Sequence, residues 1–248
     1  MEVNDFLNDV AIRCFREQAD RDYIIARLSY RREFYCQYHW NGLQAIEKYI
    51  KAILLFNRIP SIGMSHSLSK GLELLQKVSF VSFQDRTKQI IQYFDAFGCN
   101  RYLTYSYAEM DYYLGHFDFA IWDIRKYCRP LDIKYSRKPL EKIQQQLVAI
   151  ANSSMLDVKS VYIEGGLLEN ILQNKHHPAR KDLTWQNPCF FLKNRKTVKQ
   201  KEVLAMVNSP LTLHPEYLDE LMQYIQISKF DEKNFRQESE RRNQPKRK

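Results

Sequence analysis

YRREFYCQYHWNGLQAIEKYIKAILLFNRIP, residues 30–60, is the stretch on which the fold turns. Tyr35, Tyr38, Ala45, Ile46, Tyr49, Ile50, Ile53 and Leu54 recur at three- and four-residue spacing, the pattern of a buried helical stripe. With Leu28 on the same face the pattern reaches back to Asp22, so residues 22–58 read as one long helix or two joined helices. Pro60 and Gly63 stop it, because proline lacks the amide that continues a helix and glycine favours the turn after it.

The same spacing recurs outward in both directions. Phe6, Val10 and Cys14 predict a first helix, capped by Asn4 or Asp5 and ending near Asp20. Further helices are expected over 66–77, with Ser65 as N-cap, over 84–97, closed by Gly98, and over 107–128. After Pro139 another helix runs to about residue 151, with Leu140, Ile143, Leu147 and Ile150 facing inward. Beyond Asn152 the pattern weakens into a strand and a short helix over 156–172, then the polar loop NKHHPARKD. Helices over 199–207 and from Pro215 to about 227 complete the pattern. The expected fold is all-α: an antiparallel helical bundle over 1–151, a mainly helical C-terminal extension with a basic loop over 152–230, and a flexible basic tail over 231–248.

With 248 residues, 44% hydrophobic, and only 7 Gly and 8 Pro, the chain can bury a core without disulfides or metals. Its five cysteines are scattered with no C-x-x-C spacing, so neither a disulfide framework nor a zinc site is indicated, and no cofactor is expected. The opening MEVNDFLNDV lacks the layout of a signal peptide, and no apolar run approaches the ~18 residues that cross a bilayer. A cytoplasmic protein without membrane contact is the resulting expectation. A net charge of +9 favours an acidic partner, nucleic acid being the commonest. Lys175, Arg180, Lys181, Lys193, Arg195, Lys196, Lys199 and Lys201 share their segment with one acid, Asp182. Trp185, Phe190 and Phe191 lie among them, as stacking platforms beside backbone-tracking cations or as core aromatics under a solvated face.

Ala45, Glu47, Lys48, Lys51, Ala52 and Leu54 form an A-x-E-K-x-x-K-A-x-L run, followed after a short loop by His66-x-Leu68. Together with FGCNRY ahead of a later helix, this resembles the HEPN domain, over approximately residues 4–128. The resemblance implies a HEPN-like helical bundle, association with RNA or nucleotides, and a homodimer. Many members are metal-independent ribonucleases that use an R-x(4–6)-H motif, in which imidazole moves a proton and guanidinium stabilises charge on phosphate.

Arg101 takes the place of that arginine, yet the first histidine after it is His116, far outside the spacing. Tyr105 and Tyr107 stand nearby, and an ordinary phenol is a poorer proton shuttle than imidazole. Arg32 and His39 match the motif formally, and on a continuous helix seven positions would put them on one face. Their structural reading is a packed His39 and a solvated Arg32. Lys48 and Lys51 are candidate phosphate contacts, against a plain surface pair of Glu47 with Lys51. The residues and the resemblance together point first to an RNA- or nucleotide-binding module that does not cleave, and a prokaryotic defence or toxin-antitoxin-like setting is what the resemblance alone implies. A metal-independent endoribonuclease and a protein-interaction or dimerisation module are the alternatives.

Overall fold

The computed structural model describes residues 2–98, 100, 103–110, 112–154, 158–190, 205–227 and 229–243. Helix α1 (Val3–Val10) runs through a π-helical stretch (Ala11–Arg16) into α2 (Glu17–Arg31). No proline or glycine interrupts residues 3–31, so the helix expected to end near Asp20 continues for another eleven residues. Ala19, Asp20, Tyr23, Ala26, Arg27 and Tyr30 form its buried face; Leu28, expected inward, lies off that stripe and is 38% exposed.

A tight turn over residues 32–34, with Glu33 at a φ of 62°, reverses the chain into α3 (Tyr35–Phe56). Every residue of the predicted stripe from Tyr35 to Leu54 is buried, and α3 is the central helix of the bundle. Helix α4 (Leu68–Leu75) starts two residues later than expected, because Ser65 adopts a φ of 52° whereas Ser67 is extended and its hydroxyl accepts from the Lys70 amide. Asp95 of α5 (Asp85–Phe97) completes the cap, accepting from the Leu68 and Ser69 amides at 2.8 and 3.0 Å.

Strand β1 (Tyr107–Glu109) replaces the first residues of the helix expected over 107–128, and α6 (Tyr112–Arg125) follows. The antiparallel partner of β1 is β2 (Ala205–Val207), which pairs Tyr107 with Val207 and Glu109 with Ala205. The expected helix over 199–207 is therefore a strand at its described end, and its remainder lies outside the described residues. Helix α7 (Leu140–Asn152) buries Ile143 and Ile150 but leaves Leu140, at its first position, 52% exposed.

Val158–Val161 forms a 3-10 turn where a strand was expected, followed by α8 (Leu167–Gln173) and, within the predicted polar loop, α9 (Arg180–Thr184). Val158, Val161, Leu168, Ile171, Leu183 and Phe190 join the same core as α2 and α3. A second, small core gathers Leu211 of α10 (Pro210–Leu213), Leu218 of α11 (Leu218–Met222), Ile227 and Phe235. Phe235 belongs to α12 (Lys229–Asn243), which corrects the expected flexible tail up to residue 243. Its burial, with Arg236 bonded to Asp219 and Glu232 at 2.6 and 3.0 Å, holds that segment in place. The fold is an all-α bundle with, among the described residues, one two-stranded ladder, and no described helix is long and apolar enough to cross a membrane.

Helices α3 and α5 approach closely at Gly42, where an added Cβ would stand 2.1 Å from the Phe94 ring. Phe94 is fully buried against Tyr38 and Phe117, so it has nowhere to retreat. Gly42→Ala is expected to destabilise the protein by about 1–3 kcal/mol, read as a lower urea midpoint at unchanged m-value.

Candidate functional site

His39 occupies the interior between α3, α5 and β1, only 1% exposed. Its Nε2 lies 2.9 Å from a Glu109 carboxylate oxygen and 2.7 Å from the Tyr93 hydroxyl, which donates to that same oxygen at 3.3 Å. The Nε2–H tautomer satisfies the carboxylate and leaves Nδ1 without a partner. Tyr38, Phe94, Phe97 and Tyr107 wall the ring, with the Tyr107 centroid 4.8 Å away. Burial, and then the Glu109 charge, pushes the Tyr93 hydroxyl far above its ordinary range. Tyr107 moves the same way through burial and its contact with Cys36, 3.4 Å distant. Both stay neutral phenols. A histidine backed by a carboxylate has the make-up of a general base, but Glu109 is wholly enclosed and the ring is sealed from solute.

In front of this cluster, Phe97 also lines a cleft of about 840 Å³ together with Asp95, Asn100, Thr104, Tyr105 and Asp231. Asn100 shapes the loop after α5: its carbonyl oxygen accepts from the Thr104 hydroxyl and the Tyr105 amide, and its amide donates to the Tyr105 carbonyl at 2.9 Å. Helix α12 roofs one side, stacking Phe235 on Tyr105 at 4.9 Å while the Tyr105 hydroxyl donates to Asp231. Burial and that hydrogen bond raise the Tyr105 pKa, so it too remains a neutral phenol. Among the described residues, the lining holds two carboxylates and no cation. Arg101 lies outside the described residues.

The other expected residues are dispersed. Arg32 sits on the exposed turn between α2 and α3, so the helical face that would have joined it to His39 does not exist. His116 is half-buried on α6, and burial and the nearby Arg86 charge lower its pKa, which keeps it neutral. Lys48 is paired with Asp22. Lys51 contacts Glu47 at 2.5 Å, and Glu47, read as a surface acid, is buried and also bonded to His66 at 2.8 Å. Arg180 donates to the Leu172 carbonyl, Lys181 is exposed, and Trp185 is half-buried under the Arg31 guanidinium, 5.7 Å from its ring centre. Lys193, Arg195 and Lys196 lie outside the described residues. No three His, Cys, Asp or Glu side chains converge as a metal site among the described residues.

Sequence reasoning missed a buried ionic system around Arg125, which is bonded to Asp20 at 2.7 Å and to Glu169 at 2.7 and 2.8 Å. Arg16 and Arg129, both under 10% exposed, adjoin it. The signal was present in HFDFAIWDIRKYCRP, where charges interrupt an otherwise apolar run that has to be interior. The family model of the HEPN domain matches residues 12–126. No curated protein and no solved structure is detectably similar to the chain.

His39→Ala removes the imidazole from the buried Glu109 carboxylate and leaves it with the longer hydrogen bond from the Tyr93 hydroxyl. The variant is expected to lose about 3 kcal/mol of unfolding free energy in urea, whereas Arg32→Ala on the exposed turn should change it by less than ~0.5 kcal/mol.

Proposed function

We propose that this chain, whose residues 12–126 match the family model of the HEPN domain, is an RNA- or nucleotide-binding module that does not itself cleave. The observation that carries the non-cleaving part is the state of its histidines. None follows Arg101 at family spacing, and the one that matches the motif elsewhere, His39, is enclosed and bonded to Glu109 and Tyr93. The binding part is supported by the family match and by the net charge of +9. Lys181 on α9, with Lys193, Arg195 and Lys196 beyond it, is the basic segment that would track a phosphate backbone. A homodimer, a cytoplasmic setting and a place in a prokaryotic defence or toxin-antitoxin-like system belong to this reading on family grounds, and a protein partner is compatible with it.

Incubating the protein with labelled single-stranded RNA in EDTA tests both parts at once. The expected result is retention without cleavage, weakening on the order of tens-fold between 50 and 200 mM salt as about four phosphates lose their contacts. Arg101→Ala should weaken retention several-fold. Metal-independent cleavage that disappears in Arg101→Ala or His116→Ala would instead establish a ribonuclease, and the absence of both signals would point to a protein-interaction role.

A further inference from the structure

Arg129 lies just after α6, 7% exposed, at the floor of a pocket of about 300 Å³ bounded by α7 and the 3-10 turn. One terminal nitrogen donates to the Val161 carbonyl, but Nε has no partner. Arg16 behind it is in the same position: Nη1 donates to the Cys128 carbonyl at 3.3 Å, and its buried Nε is unpartnered. Among the described residues neither guanidinium has a carboxylate within ion-pairing distance, because Asp20 and Glu169 are both committed to Arg125.

Two lysines add to this charge. Lys142 lines the pocket, and Lys138, half-buried, is close enough to Arg129, Lys142 and Arg16 for all three to depress its pKa after burial has done so. The rim carries one acid, Glu164, which acts on Lys138 in the opposite sense. Five cations (Arg16, Arg125, Arg129, Lys138, Lys142) thus face three carboxylates (Asp20, Glu169, Glu164), an excess of two positive charges. Burial, and then Arg125, lowers the Arg129 pKa to about 10, which still leaves it charged at neutral pH.

Like charges held together around a cavity, with buried N–H donors unused, are what a bound anion would satisfy. Gln146 and Ser160 add neutral polar groups to the wall, and the Gln146 amide oxygen has no partner in its present orientation. Turning that amide over presents its NH2 instead, an orientation the same geometry accommodates.

We propose that this pocket binds a phosphate dianion, either free phosphate or the terminal phosphoryl group of a small phosphate ester, through Arg129 and Lys142 of its wall, with Lys138 adding positive charge beside them. The site shares no residue with the cleft lined by Asn100, Tyr105 and Asp231, so it stands whether or not the protein binds RNA elsewhere.

Calorimetric titration of the full chain near pH 7.5 with inorganic phosphate, with adenosine monophosphate, and with a short RNA lacking terminal phosphates tests the site, chloride keeping the ionic strength matched. Phosphate is expected to bind and to raise the Tm. Lys142→Gln should weaken binding about fivefold and Lys138→Gln/Lys142→Gln further, while Arg129→Gln abolishes it. If Arg129→Gln fails to fold, the lysine pair decides alone, since both side chains reach solvent. Tighter binding of the monophosphate than of phosphate identifies an ester as the ligand, and equal binding identifies the free ion. No phosphate-specific heat or Tm shift, equal binding by wild type and the lysine variants, or binding of only the unphosphorylated RNA would each overturn the proposal.

Discussion

The guanidinium of Arg125 is the constraint around which the bundle closes. Asp20 from α2 and Glu169 from α8 grip it from two sides, and the Tyr49 hydroxyl of α3 donates to Asp20 at 2.5 Å. Desolvating one cation and two anions is expensive, and it is offset only while every partner is in place. Burial alone would raise the Glu169 pKa, yet the charge and hydrogen bonds of Arg125, with the Ile163 amide at 2.9 Å, hold it below the usual carboxylate range. Gly166 permits the grip, since a Cβ there would stand 2.2 Å from the Glu169 carboxylate. Elements far apart in sequence are tied to one side chain, which explains why residues 158–190 share the core of the N-terminal helices rather than forming a separate unit.

A second buried pair repeats the device. Arg27 of α2 bonds to Asp118 of α6 and to the backbone carbonyls of Asp182 and Trp185, while Tyr23 donates to Asp118 at 2.7 Å and accepts from Asn187 at 2.8 Å. Two ionic clamps and the His39 cluster distribute polar anchors along α2, α3 and α6. Between them the core is aromatic, with Tyr30, Tyr38, Phe94 and Phe117 meeting edge to face. Apolar burial supplies most of the stabilisation, and the clamps select one register among the many that greasy helices allow.

The all-α class and the α3 stripe were legible because three- and four-residue spacing over twenty residues has few other meanings. Arg101 was a candidate only through the family resemblance. His39 was readable as a candidate but not as enclosed, since its partner Glu109 is seventy positions away and sits on a strand too short to show alternation. Polarity alone gives no sign that Asp118, Asp123 and Arg125 are buried, although their apolar neighbours require them to be inside. In α12 the counted cations outweighed the more telling four-residue spacing of Glu232 with Arg236 and of Glu238 with Arg242.

The β1–β2 ladder also has a consequence for the order in which the protein can be made. Residue 107 leaves the ribosome about a hundred residues before residue 207, which at ~5–20 residues per second is roughly 5–20 s. During that interval β1 has its α3 and α5 neighbours but an open edge, and Tyr105 lacks the α12 roof. The nascent chain therefore presents the β1 edge and the Tyr105 ring uncovered for seconds before its own C-terminal segment pairs with the one and stacks on the other, a window in which a chaperone or a second nascent copy meets a surface that the finished protein no longer shows.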